Sequence, residues 1–322
     1  MVNLQIKRFA AVAAALDLES ESFTEQRVYN TSFHTREDIT AVLPSIHHPD
    51  PEEQPWILLR PWLPLIMESQ GISPESVHEI RLPSTFLTIL ESTFRSGLSL
   101  GRVNRDDMRD LVSYFPMKSA NGCDIVALLQ GQKILARLDT CSLKDAIIGQ
   151  GPIKNISDIC ARLATSARGT KGLRDLREGK PGYPCSLFLF PWRDEIRTEL
   201  EYRVFCPPGT RIAAISQYRW HQPWYHHDAS THDQLEIATK LVHGCEELYD
   251  QIIKHAGDER DEVTENGFVF DVVEIPQTHE VQLLELNCFG AMTGCGACLF
   301  HWIKDAEILY GLREGVKVRV TI

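Results

Sequence analysis

Four polar residues near the carboxyl-terminal end of the sequence stand inside otherwise apolar runs. Asp271 and Glu274 belong to GFVFDVVEIP, and Glu285 and Asn287 belong to VQLLELNCFG. Both runs have the composition of strands, so Glu285 and Asn287, two residues apart, project from the same face. An isolated buried carboxylate is very costly, and we therefore expect these acids to face a cation, a metal ion or a polar ligand.

Two arrangements satisfy this requirement. Magnesium prefers oxygen ligands, and Asp271, Glu285 and Asn287 are its candidate ligands if the ion binds. The alternative is an internal salt bridge to Arg203 or Lys144. We interpret the cluster as a functional site, because carboxylates on neighbouring core strands are typical of one. The catalytic candidates are Asp271, Glu274 and Glu285.

A second polar group follows an apolar strand, in the segment RLDTCSLKDA. Arg137 and Asp139 share one face if the strand continues past them. A ligand-binding role and a solvated loop are equally compatible with this pattern. A third group, YRWHQPWYHHD, is aromatic and could line a pocket or receive a planar ligand beside Arg219. His226 and His227 are adjacent, so a strand would point them to opposite faces, and a metal pair is not predicted.

The composition is that of an ordinary globular protein, and the charge limits its partners. The sequence has 322 residues, with 44 acidic and 33 basic side chains and a net charge of −11. A net acidic surface argues against unspecific coating of nucleic acid but leaves room for a local basic patch. The cysteines lack regular spacing, which indicates reduced thiols in a cytoplasmic protein. Cys295 and Cys298 form a CxxC with no second pair, so no zinc site is predicted.

The apolar spacings predict helices mixed with strands in hairpins. Helices are predicted after Ser84, after Asn104 through Tyr114, in SDICARLATSAR, across 233–255 and near HWIKDAEILYG. Strands are predicted in IVALL and KILARL around a turn at Gly131–Gln132, and in SLFLFPW, LEYRVFC, RIAAISQYRW, GFVFDVVEIP, VQLLELNCFG and VKVRVTI. No glycine-rich phosphate loop interrupts them. The pattern predicts an α+β fold with mixed or antiparallel sheets flanked by helices.

Residues 1–55 are interpreted as an N-terminal extension and linker. The segment HHPDPEEQP is polar and proline-rich, as linkers are, and residues 56–322 would then form the main domain. The apolar run near the start of the sequence is too short to span a bilayer. It is predicted to form an amphipathic helix, and no membrane association is expected.

The order of these segments resembles the cell-division-cycle-123 family from about Trp56 to Trp302. The matching pieces are RPWLP, EIRLP, RLDTCSLKDA, ISDICARLATS, LFLFPW, EYRVF, AAISQY, FVFD, LLELNCFG and LFHW. The resemblance implies an ATP-grasp-like fold with two intimately joined lobes. It also implies that lysines meet the nucleotide phosphates and that Asp271, Glu285 and Asn287 meet the metal ion.

The nucleotide positions depart from the family's pattern. Arg137 stands where the first lysine is expected, and Ala164 stands where the second is expected. A guanidinium is bulkier and forks differently from an ammonium, and the alanine removes a charge that phosphates need. ATP is therefore not expected to bind in the family's manner. The family's role in assembling eukaryotic initiation factor two becomes an alternative rather than the first hypothesis.

A DxxE motif formed by Asp271 and Glu274, together with RLDTCSLKD and the ATSAR helix, resembles a fungal branch of arginine-containing cyclodipeptide synthases. Those enzymes join two amino acids, delivered on transfer RNA, into a diketopiperazine. The donors are already activated as esters, so no cofactor is required. The basic stretch 162–180 is then a candidate docking stripe for the acceptor stem, or else a solvated loop. The RNA-binding candidates are Arg168, Lys171 and Arg174.

The first hypothesis is thus a tRNA-dependent enzyme that joins arginine to a second aminoacyl group. An arginyl substrate requires acidic partners, because carboxylates pair bidentately with guanidinium, and one acid would accept the proton of the attacking amine. Two alternatives stay open: an amide ligase that requires ATP and magnesium, and a non-catalytic assembly chaperone for a translation initiation factor. None of the three involves DNA or a membrane. The substrate-binding candidates are Arg137, Asp139, Glu201, Arg203 and Asn287.

Overall fold

The structure is a computed structural model, and it describes residues 2–21, 27–46, 48–49, 57–100, 102–149 and 151–322. The chain divides into two compact units. The first unit consists of residues 1–57 and 194–322, and the second consists of residues 58–193. No helix in the described ranges is both long enough and apolar enough to cross a membrane.

The described ranges contain nine strands and eleven α-helices. In chain order, β1 to β9 are Val2–Lys7, His78–Arg81, Ile134–Leu138, Ser186–Pro191, Glu201–Cys206, Ala214–Gln217, Phe268–Glu274, Val281–Cys288 and Val316–Thr321. Helices α1 to α11 are Phe9–Glu21, Arg36–Val42, Leu59–Gln70, Ser84–Leu100, Arg105–Tyr114, Ile125–Gly131, Ile156–Thr165, Ala167–Gly179, Thr231–Ala256, Arg260–Asn266 and Ala306–Leu309. Short 3-10 helices are Pro74–Ser76, Thr198–Leu200 and Gly257–Glu259.

The first unit is built on a mixed sheet with the strand order β1-β9-β6-β5-β7-β8. Strand β9 runs parallel to β1 and β6, and the other neighbours are antiparallel. Every residue of β7 is buried, so the polar side chains of this strand must find partners inside the protein. Phe205, Phe289 and Trp302 belong to one of the core clusters of this unit.

The second unit has an antiparallel sheet in the order β2-β4-β3. Its core brings together apolar residues of these strands with the buried faces of α4, α5, α6, α7 and α8, including Ile80, Phe86 and Leu187. Helices α5 to α8 each begin where the sequence offers a capping side chain. Asn155 accepts a hydrogen bond from the backbone of Asp158 at the start of α7. Ser166 accepts a hydrogen bond from the backbone of Gly169 at the start of α8. This one residue is therefore both the last cap of α7 and the first cap of α8.

The predicted fold class is confirmed in both units, since mixed and antiparallel sheets are flanked by helices. The helices predicted after Ser84, after Asn104 and across 233–255 are α4, α5 and α9. The predicted hairpin around Gly131–Gln132 is wrong, because Ile125–Gly131 form α6. The side chain of Asp124 caps this helix, and the buried residues Ile125 and Leu129 are four apart, which is helical spacing.

The N-terminal segment differs from the predicted extension. Val2–Lys7 form an edge strand that pairs in parallel with β9, and residues 1–57 belong to the first unit. The alternation of Val2, Leu4 and Ile6 with polar residues is a strand pattern. The predicted helix near the start of the sequence is α1. Apart from residues 48–49, the predicted linker HHPDPEEQP lies outside the described residues.

Candidate functional site

The pleat of β7 divides the predicted acid cluster. Asp271 and Glu274 are three residues apart in a continuous strand, so their side chains project from opposite faces of the sheet. In the neighbouring strand β5, Arg203 lies opposite Asp271, and Tyr202 lies opposite Val272. The acids therefore belong to two polar centres, and the expectation of one pocket containing all of them is corrected.

The first centre is a buried ion pair. Arg203 donates from Nε and Nη2 to the two carboxylate oxygens of Asp271, over 2.8 and 2.7 Å, and from Nη1 to the carbonyl of Gly296, over 2.8 Å. Its guanidinium carbon lies 4.9 Å from the centre of the Tyr218 ring. Nδ2 of Asn287 lies 3.4 Å from Oδ2 of Asp271. Of the two arrangements open from the sequence, the salt bridge to Arg203 is present.

The residues of this face do not fit a magnesium ion in the arrangement observed. Glu285 lies opposite Asp271 in the β7–β8 register, and Glu201 projects from the same face as Arg203, two residues earlier in β5. However, both oxygens of Asp271 already accept from a guanidinium, whose charge replaces and repels a metal cation. Within the described ranges, no group of three or more His, Cys, Asp or Glu side chains is arranged to hold a metal ion.

The second centre surrounds the carboxylate of Glu274, whose side chain is 1% exposed. Nδ1 of His279 lies 2.6 Å from Oε1, and Nε2 of His226 lies 3.1 Å from each oxygen. The hydroxyl of Tyr202 donates to Oε2 over 3.1 Å and itself accepts from Nε1 of Trp224 over 2.7 Å. The carboxylate thus has a partner on every side, and two of its partners are groups that can carry a proton.

The hydrogen bonds of this second centre keep Glu274 ionised. Burial by itself raises the pKa of Glu274, but the hydrogen bonds from His226, His279 and Tyr202 outweigh burial and lower it. Burial and the nearby Glu274 charge raise the pKa of Tyr202 well above its ordinary value, so this phenol keeps its proton. The imidazole of His279 is 30% exposed and that of His226 is 11% exposed. An ionised buried carboxylate that contacts a partly exposed imidazole is an arrangement that enzymes use for proton transfer.

His279 is not among the candidates predicted from the sequence, and His226 appears there only within the aromatic segment YRWHQPWYHHD, without a link to Glu274. His279 lies in the turn between β7 and β8, five positions after Glu274, and a hairpin reading could have placed the two side chains together. His226 lies in the loop before α9, 48 positions from Glu274, and no local pattern signals that contact.

In the second unit, Asp139 contributes to an internal network. Its carboxylate accepts from the backbone nitrogen of Arg60 over 2.8 Å and from the hydroxyl of Tyr183 over 3.3 Å. Arg60 in turn donates from both Nη atoms to Glu79, over 2.9 and 2.7 Å, and from Nη2 to Ser186 over 2.8 Å. Burial raises the pKa of Asp139 in spite of Arg60. These contacts join the start of α3 to strands β2 and β4 and to the end of β3.

The two positions that the family resemblance assigns to lysines differ in their surroundings. Arg137 lies on the less buried face of β3, between buried Ala136 and Leu138. Ala164 is fully buried, and its carbonyl oxygen lies 2.8 Å from the point that a Cβ on Gly97 would occupy. A lysine at position 164 would carry a charge into this close contact between α4 and α7, which is costly.

The predicted basic stretch is largely the helix α8, so the alternative of a solvated loop is corrected. Arg168, Lys171 and Arg174 are exposed and follow one another at helical spacing on one side of α8. Lys171 pairs with Asp175 on the same helix. Arg162 does not join this stripe, because it is buried in α7 and donates from Nη2 to the carbonyl of Gly151 over 2.6 Å.

The described cysteines are free thiols. Cys295 and Cys298 are buried, and burial raises the pKa of Cys295 to about 12. Since the thiolate is the reactive form, Cys295 is not an activated nucleophile.

A family model described as D123 matches residues 154–311, which is just under half of the chain. No curated protein matches the sequence. The residues matched by the family model, 154–311, include α7, α8 and both polar centres of the first unit.

Solved structures show the fold more fully. Cdc123 from Schizosaccharomyces pombe is similar over 91% of this chain and 99% of its own, at 16% identity and a TM-score of 0.54. C-terminally truncated Cdc123 from the same organism is similar over 83% of this chain and 95% of its own, at 18% identity and a TM-score of 0.54. D-alanine–D-alanine ligase from Helicobacter pylori reaches a TM-score of only 0.32, at 10% identity over 67% of this chain and 58% of its own. The likeness to Cdc123 confirms the fold that the sequence resemblance predicts.

Proposed function

We propose that this chain is an amide-bond-forming enzyme that joins aminoacyl groups delivered as transfer-RNA esters, one of them arginyl, into a cyclic dipeptide. The observation that carries the proposal is the Glu274 centre. A buried carboxylate held ionised by His226, His279 and Tyr202 is equipped for proton transfer, which a purely adhesive surface does not require.

The reaction requires proton transfer but no other activation. The α-amine of one aminoacyl group attacks the ester carbonyl of the other, a C–N bond forms, and the C–O bond to the ribose breaks. A second attack of the same kind closes the ring and releases the second transfer RNA. In each step one amine proton leaves the nucleophile, and one proton is delivered to the departing oxygen. A base of moderate strength beside the amine accelerates both steps.

The residues predicted to bind substrate lie on different surfaces. Glu201 and Glu285 project from the same sheet face as Asp271, opposite to Glu274, so they are not placed to hold the side chain of a substrate whose amine reacts at the Glu274 centre. The exposed stripe Arg168, Lys171 and Arg174 is suited to phosphates of an acceptor stem. A cytoplasmic location follows from this proposal, because aminoacyl-transfer RNA is a substrate of that compartment.

The proposed reaction requires no ATP, which agrees with the residues found at the predicted metal-binding and phosphate-binding positions. Asp271 is paired with Arg203, and Ala164 stands at a buried position where the resemblance places a phosphate-binding lysine. We therefore expect ATP with magnesium to bind weakly or not at all in calorimetry. A low-micromolar ATP site would favour the amide ligase that couples ATP to bond formation.

The test is a reconstituted reaction with the full chain. Arginyl-transfer RNA and a mixed pool of charged transfer RNAs are supplied without ATP, and arginine-containing diketopiperazines are sought by mass spectrometry. Product that disappears with Glu274→Gln, while a control His243→Ala variant stays active, supports the proposal. The absence of product from the folded wild-type protein with every charged transfer RNA would overturn it.

A second candidate is a non-catalytic assembly protein for translation initiation factor two. The D123 match and the likeness to Cdc123 favour it more directly than they favour any reaction. Calorimetry with purified subunits of that factor tests it. Tight binding that is unaffected by Glu274→Gln, without product in the charged-RNA assay, would establish this candidate over the first.

A further inference from the structure

We infer that His279 is the proton-accepting residue of the Glu274 centre, and that Glu274 positions it rather than acting as the base itself. The inference rests on the proposed function for its substrate, an amine that attacks an ester. The geometry of the two side chains carries it independently.

The two ring nitrogens of His279 have different surroundings. Nδ1 lies 2.6 Å from Oε1 of Glu274, which is short enough for a charge-assisted hydrogen bond. Because an ionised carboxylate only accepts, Nδ1 must carry the proton. In the neutral imidazole Nε2 then bears the lone pair, and among the described residues nothing hydrogen-bonds to it. The carboxylate thus selects the tautomer in which the more distant nitrogen is the base.

Exposure separates the roles of the two residues. The side chain of Glu274 is 1% exposed, whereas that of His279 is 30% exposed. A substrate amine cannot approach the carboxylate directly, because His226, Tyr202 and His279 surround it. The partly exposed edge of His279 is the accessible proton acceptor of this centre.

The remaining partners hold Glu274 in one orientation. The hydroxyl of Tyr202 donates to Oε2, and Trp224 fixes that hydroxyl by donating to it from Nε1. Nε2 of His226 lies 3.1 Å from both oxygens of the carboxylate. With Oε2 engaged in this way, Oε1 is directed at His279. His226 is therefore a positioning residue with its Nε2 protonated.

The backbone conformation of His279 also indicates that this position requires an imidazole. Its φ is +59°, in the left-handed region where a residue with a Cβ is strained by about 1 kcal/mol and glycine is not. Its backbone nitrogen closes the turn by donating to the carbonyl of Ile275 over 2.8 Å. Glycine would satisfy this turn at lower cost, and the left-handed conformation is what returns the imidazole to Glu274. Strain at such a position is typical of functional residues.

In the reaction, Nε2 of His279 accepts the proton of the attacking amine as the C–N bond forms. The imidazolium is stabilised by the ionised Glu274 on its other side. It then gives the proton to the ribose oxygen as the C–O bond breaks. This proton transfer returns His279 to its neutral form. The second attack, which closes the ring, uses the same two proton transfers.

The first test does not depend on activity. Imidazole nitrogen NMR of the full chain at mildly alkaline pH should show His279 as the Nδ1–H tautomer. The matched control is His243 on α9, whose Nε2 lies 3.4 Å from Oε1 of Glu247 and which should show the Nε2–H tautomer. An Nε2–H tautomer at His279 would overturn the assignment, whatever reaction the protein performs.

The second test uses His279→Gly and His279→Asn, which suit a left-handed turn and should fold. Each should lower the rate of diketopiperazine formation by about a hundredfold or more, and His243→Ala should leave it unchanged. A folded His279→Asn variant with the wild-type rate would refute the base. If the wild-type protein forms no product, the proposed function fails while an Nδ1–H tautomer at His279 still supports the proton-accepting dyad. The two failures are therefore distinguishable.

Discussion

The buried acids Asp271 and Glu274 each have several partners, and these surroundings decide what each acid can do. Asp271 is held by the fork of Arg203, so its oxygens serve an internal cation. Glu274 is held by two imidazoles and the hydroxyl of Tyr202, which together satisfy both of its oxygens. Similar acids in one strand thus have different chemistry, because the alternation of the strand directs them to different neighbours.

Removing one partner of the buried ion pair should be far more destabilising than removing one partner of an exposed pair. Asp271→Asn leaves the Arg203 guanidinium buried beside a neutral amide and should lower the free energy of unfolding by about 3–5 kcal/mol. Asp250→Asn disrupts the exposed pair with Arg211, of 2.7 Å, and should cost less than about 1 kcal/mol. Urea denaturation at neutral pH measures both, and equal losses would contradict the structural role of Asp271.

Acid should weaken the Arg60–Glu79 pair within a defined pH range. Hydrogen bonds from Arg60, against the opposing effect of burial, lower the pKa of Glu79 from 4.5 to about 2. The folded-state pKa is depressed, so the stabilisation is complete above 4.5 and is lost as the pH falls towards about 2. The stability difference between the wild-type protein and Glu79→Gln should shrink over that range. Glu68→Gln, at an exposed position on α3, is the control, and an undiminished difference near pH 2 would contradict the assignment.

At the scale of elements, the basic side of helix α8 is the candidate surface for RNA docking. Replacing Arg168, Lys171 and Arg174 by alanine should weaken binding of transfer RNA. It should also reduce the salt dependence by about one unit of slope per lost phosphate contact.

The control for this experiment is a different set of three exposed basic residues in the same unit, changed to alanine together. Its members are Arg102, Arg105 and Arg109. Binding measured by fluorescence anisotropy at several salt concentrations separates a local contact from a change in net charge. Equal slopes for the two triple variants would show that α8 is not the docking surface.

Periodicity predicts most of these elements because it reflects which face is buried. Asn104 and the apolar spacing of 233–255 indicate helices that the structure contains. IVALL fails, since a short apolar run satisfies both strand and helix, and only the cap at Asp124 separates them. The separation of Asp271 from Glu274 follows from the period of two and could have been predicted. The approach of His226 could not, because it depends on a loop far away in the sequence.

At the scale of the molecule, one unit is continuous in sequence and the other is not. Residues 58–193 contain their own sheet and core. The first unit needs residues from both sides of that insertion. Its segment near residue 30 pairs with the loop after β8, through bonds from Asn30 to Cys298 of 2.7 Å and from Phe33 to Thr293 of 3.0 Å. The second unit can therefore fold from one continuous segment, whereas the first unit has to bring together two segments that are distant in the sequence.

A fragment of residues 58–193 should unfold cooperatively in urea, as followed by circular dichroism, because its core is complete. A fragment of residues 194–322 should not, since it lacks β1 and the segment that covers its loop. Joining residues 1–57 to 194–322 through a glycine–serine linker should restore a cooperative transition. A cooperative transition of 194–322 alone would show that the N-terminal strand is dispensable.

The pairing of β1 with β9 sets an order of events on the ribosome. Gln5 of β1 accepts hydrogen bonds from Arg319 of β9, a residue 314 positions later in the chain. During translation the first strand emerges with its hydrogen-bonding edge unpaired, and it must wait until β9 has been made. Exposed strand edges of this kind invite pairing with other chains, so the nascent protein has a long interval of vulnerability to aggregation. The continuous unit can fold during that interval, and synthesis speed should influence the yield of the first unit more than that of the second.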